Sequence, residues 1–409
     1  MKIVILGGGY AGVFAAANLC KHVGMEILLI DKNPYHQLLQ QIHFVASGTK
    51  RPEEISFSIK ELFQNDVTFI QSSVENIDLE NKIVNTGDNT KITYDYLIVA
   101  LGASSSYYGI NGAQKRSYPF RSVRDAIKLK EAVSTLSAGF TIAICGAGAT
   151  GVSLAGALSD KIGSKLKIKV IEAHSNILPG WDRCMVEMAT KSLLENNVEI
   201  IAGNVIREIM QSSVTLQSGM EIASDLTIWT AGIKGFEIKI TQQIEKTKSG
   251  RIFVDNHSRI KGFENVFAIG DISAFTLSNG LLAPQLAQFA VRQARLVAKN
   301  IIRKVKGEQM KDLNYSSSGQ ILSLRRTSIG LLGGIPVTGL LCDYAEDFII
   351  DNYIAALKNR GHGLPAFVYD NNIVSEISTP LNFMSYATTR KRDLVNGSNV
   401  EMSHSSELG

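Results

Sequence analysis

Two glycine-rich stretches, about 140 residues apart in a chain of 409, have the composition and spacing needed to cradle a pyrophosphate. The first is Gly7-Gly8-Gly9-Tyr10-Ala11-Gly12, a G-x-G-x-x-G motif, and the second is Gly146-Ala147-Gly148-Ala149-Thr150-Gly151. In such a loop the first glycine (Gly7, Gly146) permits a tight turn. The second (Gly9, Gly148) lets backbone approach phosphate, and the third (Gly12, Gly151) lets a helix pack close to a strand. An acid follows each loop, Asp31 nineteen residues after Gly12 and Glu172 twenty-one after Gly151. At that distance a carboxylate meets ribose hydroxyls. Glu172 would also repel a 2′-phosphate, and the residues beside it are Ala173-His174-Ser175 with no arginine, so the second site reads as one for NADH over NADPH.

Each cradle needs a strand before it and a helix after it, and the pattern supplies both. Residues 2–6 (KIVIL) and 140–145 (FTIAIC) read as buried parallel strands. Residues 13–20 and 152–158 read as apolar helices whose N-termini offer unpaired N–H groups and a positive dipole end. Residues 26–30 and 167–171 are the second strands, ending at the two acids. Three further apolar strands end in small residues that permit a cofactor to approach: 94–102 with Ala100 and Gly102, 228–232 with Gly232, and 265–271 with Gly270 and Asp271. The reading is α/β, with two Rossmann-like dinucleotide-binding domains and one inserted in the other.

Taken together, these stretches resemble the two-dinucleotide-binding-domain flavoproteins of the glutathione-reductase fold, over roughly residues 1–300. Within that superfamily the chain is most similar to the type II, non-proton-pumping NADH:quinone oxidoreductases. The likeness rests on Pro34-Tyr35-His36, Val45-Ala46-Ser47-Gly48, the motifs above, and residues 284–290 (PQLAQFA), which are similar to the family's A-Q-x-A-x-Q segment. The resemblance implies FAD in the first cradle, NADH in the second, and hydride transfer to the flavin followed by two-electron delivery to a quinone. It implies an FAD domain of residues 1–112 and 251–313 and an NAD domain of 113–250, while the change in composition beyond them marks a smaller C-terminal α+β region of 314–387 and a polar tail of 388–409 expected to be disordered. Gln285 and Gln288 are the residues expected on the flavin–quinone side. Expected cofactor contacts are Gly7, Gly9, Tyr10, Ala11, Gly12, Asp31, Lys32, His36, Val74, Ala100, Gly102, Gly270, Asp271 and Gln285 for FAD, and Gly146, Gly148, Thr150, Gly151, Glu172 and Gly232 for NADH. His36 and His43 are expected on the first helix after Asp31, with no metal role.

The chain departs from the family in two places. Ser153 stands where a glutamate usually follows G-x-G-x-T-G-V, and Arg292 replaces the second glutamine of A-Q-x-A-x-Q, with Gln293 one place on. One place is about 100° on a helix, so Gln293 is not expected to take over that role. Arg292 beside a pocket offers a site for an anion or phospholipid. These departures keep two alternatives open, a soluble reductase of rubredoxin or ferredoxin and a flavoprotein sensor without turnover.

Composition narrows the rest. A formal charge of +4 is too small for a dedicated nucleic-acid binder. Cys20, Cys145, Cys184 and Cys342 form no C-x-x-C pair, and none lies within 37–43, where disulfide reductases of this fold carry a redox cysteine. A sulfide:quinone oxidoreductase-like use of Cys184 or Cys342 ranks below that of incidental thiols, with Cys184 at a helix start. The opening residues read as a strand, not a signal peptide. The apolar run 327–342 is too short and glycine-broken to span a bilayer. Beside it lie Lys299, Arg303, Lys304, Lys306, Lys311, Arg325 and Arg326 against only Glu308 and Asp312. That surface suits peripheral, monotopic contact with anionic lipid on the cytoplasmic side, or docking of an acidic partner. Residues 316–319 read as a linker and 321–324 as a strand. Residues 343–358 read as an amphipathic helix with an acidic stripe, packed on the core or at a homodimer contact.

Overall fold

The computed structural model describes residues 1–315, 319–324, 327–332 and 334–358. The linker serines 316–318, Arg325 and Arg326 of the basic surface, and everything from 359 on, including the 388–409 tail, lie outside the described residues.

Two five-stranded sheets carry the molecule. The first runs Val266–Ala268, Tyr96–Val99, Lys2–Leu6, Glu26–Asp31, Thr68–Gln71, every neighbour parallel. The second runs Tyr118–Pro119, Leu226–Trp229, Thr141–Cys145, Lys167–Ile171, Val198–Ile201, also all parallel. Both sheets therefore place the strand that feeds a glycine loop at the centre, flanked by the strand that ends in an acid. Such central strands are covered on both faces, which is why they read as unbroken aliphatic runs. Ile3, Val4, Ile5, Leu6 and Ile142, Ala143, Ile144, Cys145 are all completely buried. Strand Val266–Ala268 joins the first sheet although the whole second sheet precedes it in the chain.

The helix after the first loop, Tyr10–Leu19, is buried on nearly every side. Its alanines leave room for the Ala287–Val305 helix, which lies against it with an apolar face that includes Val291, Ala294, Val297 and Ile301. Among the described C-terminal residues, Gly319–Leu324, Thr327–Leu332 and Ile335–Thr338 form an antiparallel sheet, and the Leu340–Lys358 helix packs on it.

One local expectation changes, and two are filled in. His36 lies on a short strand, Tyr35–Gln37, paired antiparallel with Ser56–Ser58, and not on a helix. Pro34 and the aromatic Tyr35 favour extended backbone there, while His43 does lie on a helix, Ile42–Ala46. The run 327–342 is a hairpin that leads into the last helix, which starts at Leu340. The helix packs on the core through Ile350, Tyr353 and Leu357, and part of its acidic stripe is hydrogen-bonded. Asp343 accepts from Ser328 N at 2.6 Å, and Glu346 accepts from the hydroxyls of Ser323 and Ser328.

Candidate functional site

The first cradle begins where strand Lys2–Leu6 ends. Gly7 has φ +106°, and a Cβ there would lie 2.3 Å from the Ala100 carbonyl oxygen. A Cβ on Gly12 would lie 1.8 Å from Gly7 O, so any side chain there would force helix and loop apart. Gly9 is different, since a Cβ on it meets nothing within 4 Å. It is the one glycine of the three that faces open space, and it caps the Tyr10–Leu19 helix without a side-chain hydrogen bond or an acid in the first turn. Uncapped N–H groups beside open space are the chemistry of an anion site. At the strand end, Asp31 accepts from Gly8 N at 2.6 Å and from Asn33 N at 2.7 Å, which orients its carboxylate across the loop.

The second cradle repeats this build. Gly146 has φ +109° and would press a Cβ 2.6 Å from Ala231 Cα, and a Cβ on Gly151 would lie 2.0 Å from Gly146 O. Gly148 faces open space and caps the Ala149–Ile162 helix with no side chain. Glu172 accepts from Ala147 N at 2.8 Å, the counterpart of Asp31 and Gly8. Its other oxygen accepts from His174 N at 3.0 Å and lies 2.7 Å from His174 Nδ1. Thr230 closes the loop by donating to Gly146 O at 2.7 Å.

The first cradle has a roof that the second lacks among the described residues. Residues Gly270–Ile272 form a 3-10 turn, and a Cβ on Gly270 (φ +73°) would lie 3.1 Å from Ala11 Cβ. The turn therefore lies directly over the start of the cradle helix. Gln285 Nε2 donates to Asp271 O at 2.9 Å. The Asp271 carboxylate lies 3.7 Å from Arg121 Nη2. Burial raises the Asp271 carboxyl above the usual range, with Arg121 and then Arg251 opposing that shift. Arg251 itself donates to Ser273 O and Ala283 O, at 2.9 and 2.8 Å.

Beneath the loop, His36 is wholly buried. Its Nδ1 lies 3.0 Å from Gly8 O and its Nε2 lies 3.0 Å from Tyr353 Oη. A carbonyl only accepts, so Nδ1 carries the proton and Nε2 accepts from the tyrosine. Burial lowers the His36 pKa to about 4, against a smaller opposing effect of the Gly8 bond. Tyr10 lies edge-on to His36 at 5.1 Å, and its hydroxyl donates to Gln40.

The structure thus brings Gly7, Gly9, Tyr10, Ala11, Gly12, Asp31, His36, Ala100, Gly270, Asp271 and Gln285 around one loop. It brings Gly146, Gly148, Gly151 and Glu172 around the other. Thr150 is exposed on the second helix's first turn, and the hydroxyl of Tyr108 lies against Gly232. Gln288 stands apart from the Asp271 turn, its amide oxygen 3.4 Å from Tyr315 Oη. Lys32 is exposed, 5.9 Å over the Phe236 ring, and Val74 is half-buried on the adjoining small sheet. Gly102 turns with φ +71° and accepts from Phe236 N. Arg292 is buried with its guanidinium 5.1 Å over the Tyr315 ring, so it does not stand out as a solvent-facing anion site. Ser153 is buried in the second cradle helix. Burial pushes the thiols of Cys145 and Cys342 up to about 12, which leaves both as unreactive thiols at neutral pH. The sequence reading missed Arg251, Arg121 and the placement of Gln293, because no local motif marks residues whose partners lie 20 to 150 positions away.

Comparison with known proteins places these cradles in context. Residues 1–294 match the family model described as pyridine nucleotide-disulphide oxidoreductase. The type II NADH:quinone oxidoreductase of Staphylococcus aureus is 30% identical over 393 residues, which cover 89% of this chain and 97% of that protein. The sulfide:quinone oxidoreductase of Aquifex aeolicus superposes with a TM-score of 0.80 at 20% identity, over 90% of this chain and 93% of that one. NDH2 of Plasmodium falciparum, solved in complex with NADH, gives 0.77 at 19% identity over 91% and 97%. At these identities the solved structures speak for the fold alone.

Proposed function

The chain belongs to the pyridine nucleotide-disulphide oxidoreductase family and, within it, to the type II NADH:quinone oxidoreductases, and from that premise we propose how its two cradles divide the work. It is an FAD-dependent NADH oxidoreductase. The first cradle holds FAD and the second holds NADH. The reaction is hydride transfer from NADH and two-electron delivery to a quinone, without proton pumping. The observation that carries the reading is one cradle geometry built twice, on two sheets of one chain, with an open glycine (Gly9, Gly148) at each helix N-terminus.

Bound FAD supplies the hydride and electron chemistry, and the protein supplies position and charge. Gly9 and the uncapped helix start hold a pyrophosphate, and Asp31 offers acceptors to a ribose. Asp271, held by the Gly270–Ile272 turn, presents a half-buried carboxyl over the cradle. On the second sheet Glu172 accepts from ribose hydroxyls and disfavours a 2′-phosphate. No side-chain nucleophile is needed. Gln285 acts by fixing the Asp271 turn, and Gln288 at the first turn of its helix faces the acceptor side.

No helix among the described residues is long and apolar enough to cross a membrane. Contact with a membrane surface, which we assign to the cytoplasmic face, draws on exposed apolar Leu281, Leu282, Leu286, Ile335, Leu340 and Leu341 for the contact itself. Stopped-flow spectroscopy tests the central reading. Anaerobic mixing of the holoprotein with NADH should bleach the flavin within the turnover time, and a soluble quinone should then restore the colour. Bleaching much slower than turnover contradicts the reading. Fast bleaching with no reoxidation by quinone moves the acceptor to a small redox protein.

A further inference from the structure

Gln293 has no place in the division of labour above, yet it is one of the most completely used polar side chains among the described residues. It is fully buried on the Ala287–Val305 helix. Its Oε1 accepts from Gly270 N at 2.8 Å and from Ser273 Oγ at 3.2 Å. Its Nε2 donates to Ser258 Oγ at 2.9 Å and to Ser273 Oγ at 3.0 Å, with Ala268 O at 3.5 Å. Both lone pairs and both protons of the amide are therefore spent, and all but the Ser258 bond go to the segment 268–273. A residue facing an electron acceptor would keep part of that capacity free. One place along the helix from the family's glutamine, the side chain turns inward to the first sheet and away from any acceptor.

The segment it grips is the roof of the first cradle. Gly270 lies against Ala11, and Asp271 follows it. The main chain of this turn is held from three sides: Gln293 at Gly270 N, Gln285 at Asp271 O, and Arg251 at Ser273 O. The Asp271 side chain is treated differently. Its closest ionic neighbour, Arg121, lies at 3.7 Å, beyond hydrogen-bond length, so backbone clamping and not side-chain pairing fixes where the carboxylate points. Gly270 N–H immediately precedes Asp271 in the chain and donates to Gln293, and without Gln293 it would be a buried unsatisfied group.

We propose that Gln293 is a positioning residue for the flavin: it sets the Gly270–Ile272 turn so that Asp271 meets the ribityl part of FAD. This rests on the reading that the first cradle holds FAD. Four proteins decide the matter: Gln293→Leu, Gln293→Glu, Asp271→Ala and the double variant Gln293→Leu/Asp271→Ala. For each, the affinity of the apoprotein for added FAD is measured by flavin fluorescence quenching, together with the melting temperature of the apoprotein. Asp271→Ala is expected to weaken FAD binding roughly 10- to 100-fold, the range for losing one or two charge-assisted hydrogen bonds. Gln293→Leu should weaken it by a similar factor, and the double variant should be no worse than Asp271→Ala alone, since Gln293 acts through Asp271. Gln293→Glu keeps an oxygen for Gly270 N–H and should recover most of the affinity. If Gln293→Leu lowers only the melting temperature and leaves FAD affinity unchanged, while Asp271→Ala weakens it, Gln293 is a packing residue and the proposal falls. Additive losses in the double variant overturn it equally, because they show a route that bypasses Asp271. If Asp271→Ala also leaves FAD affinity untouched, Asp271 does not meet the flavin and the proposal falls, whereas unchanged FAD affinity in Gly12→Ala would overturn the first-cradle reading itself. Should Gln293→Leu fail to fold, the comparison of Gln293→Glu with Asp271→Ala still decides. A Glu variant as weak as Asp271→Ala contradicts the role assigned to the Gly270 bond.

Discussion

The two cradles share their floor and differ in their surroundings. In both, a left-handed glycine ends the central strand, a second glycine faces open space, and an acid on the neighbouring strand takes the N–H of the residue between them. The first is then enclosed. A turn from residues 270–272 lies on its helix, and beneath the loop His36, Tyr10 and Tyr353 form a packed aromatic cluster. The second has no such roof among the described residues. The side chain of His174 is 69% exposed beside Glu172, and Tyr108, set against Gly232, is 67% exposed. An enclosed cradle slows release, while an open one lets a nucleotide come and go at each turnover. On the division of labour proposed above, the enclosed cradle of the first sheet would be a holder and the open one of the second an exchange site.

The sharpest break in that comparison is a methyl group placed in each loop. Gly12→Ala and Gly151→Ala would each set a Cβ about 2 Å from a backbone carbonyl of the preceding turn, at 1.8 and 2.0 Å. Backbone cannot yield that far without opening the cradle. Gly12→Ala is expected to purify nearly colourless, with FAD content reduced at least tenfold. Gly151→Ala should purify yellow with its flavin in place, and its KM for NADH should rise by two orders of magnitude or more. Absorbance at flavin wavelengths and steady-state kinetics read the two outcomes. Equal flavin loss in both variants would erase the distinction between holder and exchange site.

Acid should act on the holder first. His36 is buried with its pKa lowered to about 4, and His43, also buried, to about 3. Above pH 6.5 both are neutral whether the chain is folded or not, so they place no proton-linked load on the fold. As pH falls below 6.5 the unfolded chain takes up protons that the folded one refuses, and stability falls until the folded pKa is reached. For His36 alone the loss between pH 6.5 and 4 is about 3 kcal/mol. Both groups belong to the first half of the molecule, so FAD release should set in below pH 6.5 while the second sheet keeps its nucleotide affinity. Denaturant midpoints across pH 4–8 measure this. His36→Gln should lower stability at pH 8 and flatten the acid limb by about one proton. An unchanged acid limb would sink the assignment.

How much of this was legible in the sequence follows the range of the contacts. Gly7 to Gly12 and Gly146 to Gly151 declare themselves, because a turn, a helix start and a close packing all lie within six residues. The parallel strands declare themselves too, since burial on both faces leaves no polar alternation. His36 is another matter. Its type suggested a flavin contact and its neighbours a helix, yet it lies on a strand and its partner Tyr353 is 317 residues away. No window of local pattern contains that pairing. Gln293 fails for the same reason. On the helix it reads as one place out of register, and only the position of strand Val266–Ala268 in the first sheet shows that the displaced amide meets Gly270. The acidic stripe of the last helix was legible only in part, since the packing of the helix on the core was expected and the partners of its acids were not. Asp343 and Glu346 are acids with serine partners, and a solvated stripe and a hydrogen-bonded one have the same sequence.

A milder test sharpens the exchange site. Glu172→Gln keeps the side-chain oxygen that accepts from Ala147 N and removes the charge that a 2′-phosphate would meet. The ratio of kcat/KM for NADH to that for NADPH is expected to fall 10- to 100-fold, mostly through a lower KM for NADPH, with flavin content unchanged. An unaltered ratio would show that Glu172 does not face the ribose.

The smallest expected effect probes the packing beneath the holder. Tyr353→Phe removes the hydroxyl that donates to His36 Nε2 and keeps the ring that stacks on Phe14 and lies tilted against Tyr10. The imidazole nitrogen is then buried without a partner, which costs about 1–2 kcal/mol. The change lies on the last described helix, far along the chain from the cradle, yet it reaches Gly8 through a single ring. Stability should fall by that amount at pH 7.5, and FAD affinity by severalfold at most, while KM for NADH stays within twofold. A shift in NADH binding as large as that in FAD binding would mean that the last helix serves both cradles, and the enclosure would no longer belong to the first alone.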